Sequence, residues 1–92
     1  MQPTGTIHFA KFAESERLQR VLYFMLDGQP HTALEIIHGA NITAVSAAAC
    51  ELRENGFRVE CIKKLNPPTY QLFEPENALE LDAELLEKRK AA

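Results

Sequence analysis

The sequence predicts a mainly α-helical domain with one small β-hairpin, and three observations lead there. Two short helices, one opening at Thr32 and one spanning 43–55, flank the tight turn Gly39-Ala40-Asn41. An alternating segment follows at once from Phe57, and Thr69 to Phe73 answers it across Pro67-Pro68. Upstream, Leu18, Val21, Leu22, Met25 and Leu26 recur at spacings of three and four. Paired helices about a glycine-containing turn, followed by a hairpin, have the pattern of a winged helix-turn-helix. The expected architecture is a three-helix core plus wing, with an additional C-terminal helix.

Each element has a local cause. Residues 1–14 contain Pro3 and Gly5, show no helical period, and read as an N-terminal arm in which Thr6 to Phe9 could form a short strand. Ser15 suits an N-cap, Glu16 suits the positive end of the helix that follows, and Gly28 suits its stop. Tyr23 and Phe24 widen the apolar face, which puts this helix at the centre of the core. Thr32 and Glu35 form a capping box. Leu34, Ile36 and Ile37 are expected to bury, with Gly39 ending the helix. Thr43 is expected to cap the next helix, whose Val45, Ala49 and Leu52 face inward with Ala48 beside them. Asn55-Gly56 closes it, since glycine readily takes the left-handed conformation such exits need.

Phe57, Val59 and Cys61 alternate with Arg58, Glu60 and Ile62, which is strand periodicity. Proline lacks an amide donor, so the ladder stops at residues 66–68 and the hairpin tip falls at about 64–68. Residues 15–73 thus form the domain, with wing 57–73. In residues 74–92, Pro75 reads as a break and Asn77 to Glu80 as a second capping box. A helical pattern over 78–90 places Leu81 and Leu85 one turn apart, beside Leu79, Ala83 and Leu86. An isolated helix of about thirteen residues is marginal in water. These leucines therefore need a partner, either their own domain or a second copy, and Leu79, Leu81, Leu85 and Leu86 are candidates for self-association into a homodimer.

The totals bound the function. The 92-residue chain is 46% hydrophobic and 25% charged, ordinary for one globular domain. A chain this short buries only about 60–65% of its unfolded surface, which favours a partner surface over a deep catalytic pocket. The net charge of −3 arises entirely in residues 74–92, which hold six acids and three bases, because residues 1–73 hold seven of each. Within 53–64, four bases (Arg53, Arg58, Lys63, Lys64) face two acids. A neutral body with one basic stretch is compatible with a polyanionic partner. There is no secretory signal pattern and no apolar run of the roughly 18 residues that span a bilayer. Cys50 and Cys61 read as reduced thiols of a cytoplasmic protein. No cysteine or histidine stands at metal-ligand spacing, no glycine-rich phosphate loop occurs, and no serine has a histidine or aspartate at suggestive spacing. The expectation is no enzyme, no metal and no cofactor.

A helix-turn-helix presents the start of its second helix to the major groove. Opposite the inward face lie Thr43, Ala47, Cys50 and Glu54, flanked by Ala44, Ser46 and Glu51. Thr43 and Ser46 can hydrogen-bond bases or phosphates, and alanine methyls can touch thymine methyls. Asn41 and Thr32 are placed to help fix phosphates, with Arg53, Arg58, Lys63 and Lys64 on the backbone. Glu51 and Glu54 would repel phosphate if they faced it. The plain structural alternative is that Thr43 only caps, the alanines only pack, and the lysines guard an edge strand.

From Ser15 to Phe73 the chain resembles the small winged helix-turn-helix proteins common in bacteriophage and prophage genomes. The resemblance lies in SERLQRVLYFMLDGQPHT, ALEIIHGANI, AVSAAACELRENGFRVECIKK and TYQLF. Glu51-Leu52-Arg53-Glu54-Asn55-Gly56, leading into an alternating strand, is its most diagnostic phrase. Many such proteins carry arginine in the recognition helix where this chain has Ala44 and Ala48. The resemblance implies a sequence-specific regulator of duplex DNA, with recognition helix 43–55 in the major groove and the wing on the backbone. The alternative is a winged-helix protein-interaction module, an inhibitor or assembly adaptor, that binds a protein partner through the Ala47 and Cys50 face.

Overall fold

Ser15 begins the first long helix as its cap, its hydroxyl accepting from the Leu18 amide at 3.2 Å. In the computed structural model, which describes residues 11–91, α1 (Glu16–Phe24) is followed by β1 (His31–Thr32), α2 (Ala33–Ala40), α3 (Val45–Glu54), β2 (Val59–Lys63), β3 (Thr69–Leu72) and α4 (Pro75–Ala91). The architecture is mainly helical with a small three-stranded antiparallel sheet in the order β1-β3-β2. The strand expected at Thr6 to Phe9 lies outside the described residues.

Leu18, Val21, Leu22 and Met25 are buried, as their spacing requires. Fully burying a side chain of this size contributes about 1.5–3 kcal/mol. The α1 helix ends at Phe24, and a turn carries the chain to Gly28 at φ +71°. The Asp27 carboxylate drives that exit by accepting the Gln29 amide at 2.9 Å and holding His31.

Thr32 and Glu35 cap each other's amides at 3.2 and 2.9 Å, the full capping box. Ile36 and Ala40 bury one face of α2, and Ile37 packs at its margin. Leu34, expected inside, is 61% exposed. It sits two residues before Ile36, about 200° round the helix, and so faces away from the core. Gly39 does not end α2. A Cβ there would lie 2.0 Å from the Phe24 ring, so its role is close approach between α1 and α2. The stop is Asn41, left-handed at φ 56°.

Thr43 does not cap α3. The helix starts one residue later than that expectation, with Ala44 at the cap position and no side-chain hydrogen bond there. Val45, Ala48, Ala49 and Leu52 are buried. At its other end the Phe57 amide donates to the Leu52 carbonyl and the Gly56 amide to the Arg53 carbonyl, both at 3.0 Å. This is a Schellman exit, and it needs the positive φ that Gly56 adopts at +102°.

The hairpin pairs Val59 with Leu72 and Cys61 with Tyr70. Lys63 pairs with Thr69, so Ile62 forms a bulge. The β1 strand, unmarked in the sequence, pairs His31 with Tyr70 and Thr32 with Thr69. Pro75 opens α4 rather than breaking the chain, at the position where a missing amide is harmless. Asn77 therefore lies within the first turn of α4 and donates to the Glu74 carboxylate at 3.1 Å instead of capping the helix.

Ala78 is buried, and Leu81 and Leu85 pack against the core of the same chain. The Tyr23 hydroxyl donates to Asp82 at 2.8 Å across this junction. Phe12 is only 1% exposed and meets Phe57 at a ring distance of 4.7 Å. Its amide donates to the Asn55 side chain at 2.9 Å, so the core reaches into the stretch read as an arm.

Candidate nucleic-acid interface

The axes of α2 and α3 turn through 82° across the four-residue break between them. This follows from Asn41, which stops α2 in the left-handed region, and from buried Ile42, which pins the turn to the core. Thr43, Ala44, Ser46 and Ala47 are exposed along the leading edge of α3, and Asn41 is exposed in the turn before it. With no side chain capping α3, the positive end of its dipole meets solvent at this edge. Leu81 approaches Gly56 at the opposite end of α3, so α4 docks away from the leading edge.

The charges around α3 are arranged by α1. Arg17 donates to both oxygens of Glu51, at 2.7 and 2.5 Å, and neutralises an acid that would otherwise repel phosphate. Arg20 donates from Nε to the Ala40 carbonyl at 2.9 Å and from Nη2 to the Asn41 carbonyl at 3.4 Å. This guanidinium closes the C-terminus of α2 and brings positive charge to the turn. Neither arginine is among the residues that the sequence singles out. Their spacing of three, off the apolar stripe of α1, was the available signal. Glu54 remains exposed at the trailing end of α3.

The basic stretch divides into two tied and two projecting groups. Arg53 donates to the Val59 carbonyl at 2.8 Å. Arg58 pairs with Glu74 at 3.3 Å and lies over the Phe73 ring at 5.3 Å. Lys63 and Lys64 are exposed, and among the described residues no carboxylate forms an ion pair with either. The Ala33 amide donates to the Pro68 carbonyl at 2.8 Å, which joins the hairpin to the start of α2. Thr32 is half-buried at that junction and already engaged in capping.

The four leucines of α4 divide as well. Leu81 and Leu85 pack inward, Leu86 is half-buried, and Leu79 is 50% exposed. Cys50 and Cys61 are free thiols, half-buried, and Cys61 donates to the Lys63 carbonyl at 3.3 Å. Among the described residues no polar or charged side chain is buried, and no three metal-ligating side chains converge. Nor is any single described helix long and apolar enough to cross a membrane.

No protein-family model, curated protein or solved structure matches the chain.

Proposed function

We propose that this chain is a winged helix-turn-helix domain that binds duplex DNA as a small regulator of phage or prophage type. The observation that carries the reading is the exposed, uncapped start of α3, set at 82° to α2 in the same domain as a hairpin whose exposed Lys63 and Lys64 form no ion pair among the described residues. In this reading Thr43, Ala44, Ser46 and Ala47 enter the major groove, where hydroxyls meet bases or phosphates and methyls meet thymine. Asn41 and Arg20 lie at the flanking backbone, and the lysines hold it through the wing. Arg53 and Arg58, tied to Val59 and Glu74, serve the fold first. A homodimer formed through Leu79 and Leu86 would double a modest set of phosphate contacts.

The test is retention on duplex DNA across a salt series. Affinity that falls steeply with salt supports the reading. Lys63→Glu with Lys64→Glu should abolish retention at physiological salt, and neutral replacements should lower the salt slope by about 2. The interaction-module reading draws support from the arginine-free edge around Ala47 and half-buried Cys50. It predicts weak salt dependence and tolerance of both lysine changes.

A further inference from the structure

The hairpin tip exposes apolar surface that the major-groove edge does not use. Leu65 is 71% exposed at the tip, and Ile62 is 45% exposed on the strand leading to it. Tips of this kind normally carry polar residues, because an apolar side chain there gains nothing from folding. Lys63 and Lys64 lie between these two apolar groups, with no carboxylate of the described residues in ion-pair contact.

Local structure fixes the backbone that follows Leu65. Asn66 adopts φ 60°, and two prolines follow it. The Thr69 hydroxyl donates to the Pro67 carbonyl at 3.0 Å, and the Ala33 amide holds the Pro68 carbonyl at 2.8 Å. The bulge at Ile62 twists the ribbon and re-aims the residues beyond it. A contact made from backbone already constrained in this way loses less conformational entropy on binding than one made from a free loop.

We propose that the tip enters the minor groove and wedges Leu65 between two stacked base pairs, kinking the duplex, an inference that rests on the DNA-binding reading above. The minor groove, about 6 Å wide, is too narrow for a helix but can take a loop tip. Leucine and proline are among the side chains that unstack base steps from this side. Lys63 and Lys64 neutralise phosphates that line the minor groove on either side of the wedge. A lipid surface fits the tip less well, because attachment there scales with buried apolar area and this tip offers little. The wedge also predicts a sequence preference at a pair the protein need not read chemically. Pyrimidine–purine steps kink most easily and should be enriched there.

The experiment uses the full chain to select duplexes from a random pool. Recovered duplexes are then tested by phased-bend electrophoresis and by 2-aminopurine fluorescence at the wedge step. The expected result is a kink with raised fluorescence in the wild type. In Leu65→Ser both should vanish, with affinity about tenfold weaker and an unchanged salt slope. Leu65→Met should restore the kink, and all three proteins should melt together because the side chain is exposed. A straight duplex bound by the wild type, or a bend that survives Leu65→Ser, overturns the wedge while leaving DNA binding intact. Recovery of no duplex overturns both. Binding to phosphatidylserine vesicles that Leu65→Ser abolishes, with no kinked duplex, overturns the wedge in favour of a lipid surface.

Discussion

Arg17 on α1 grips both carboxylate oxygens of Glu51 on α3, with the carboxylate the more buried of the two groups. The pair fastens α3 to the core and cancels one acid on its flank. Removing Arg17 leaves Glu51 half-buried and unpaired. Arg17→Ala should lower stability by about 1–2 kcal/mol in urea unfolding, less than a fully buried charged hydrogen bond because solvent partly screens Arg17. It should also weaken DNA retention. Glu51→Gln should keep most of the stability and strengthen retention, and equal retention by both variants would deny the pair an electrostatic role.

The contact between Gly39 and Phe24 gives a second, purely steric prediction. A methyl at Gly39 meets the ring at 2.0 Å, and overpacking of this kind costs about 1–3 kcal/mol. Gly39→Ala should lower the denaturation midpoint. In a Phe24→Leu background the same change should cost markedly less, which a double-mutant cycle measures.

The Gln29 amide, and then the His31 side chain, hold the Asp27 carboxyl below its ordinary value of 3.8. A lowered value in the folded state means that the stabilisation is complete above pH 3.8 and disappears as pH falls through the lower folded value. Asp27→Asn should melt earlier than the wild type at neutral pH. The two melting curves should converge in strong acid.

Burial, followed by the hydrogen bond to Asp82, pushes the Tyr23 phenol up to about 12. Here the neutral form is favoured by folding. The contribution is therefore complete below the ordinary value of 10.0 and lost as pH rises through about 12. Ultraviolet titration should show Tyr23 ionising later in the wild type than in Asp82→Asn. Tyr23→Phe should increase amide exchange in α4, because that hydrogen bond secures its docking.

What the sequence revealed, and what it hid, divides by the range of the interaction. The Ser15 cap, the Thr32 and Glu35 box and the Gly56 exit involve residues a turn apart, so spacing alone exposes them. The leading edge of α3 was readable for the same reason, since it is the face opposite Val45, Ala49 and Leu52. Leu34 was misplaced because a short apolar run does not say which of its faces meets another helix. The β1 strand has two residues, and its partners come from β3. The electrostatics of the candidate surface were hidden most fully. Arg17 lies 34 residues from Glu51 and Arg58 lies 16 from Glu74, so neither pairing leaves a local trace. Thr43 and Ala44 show the limit even of local signals, because a threonine at a helix start looks like a cap whether or not its hydroxyl is used.

The most direct measurement is amide chemical-shift mapping of the full chain as selected duplex DNA is added. DNA binding through α3 and the hairpin predicts that shifts concentrate on Thr43, Ser46 and Ala47 at the start of α3 and on Lys63 to Leu65 in the hairpin, with α4 quiet. Shifts confined to α4, or none at any of these positions, would contradict it.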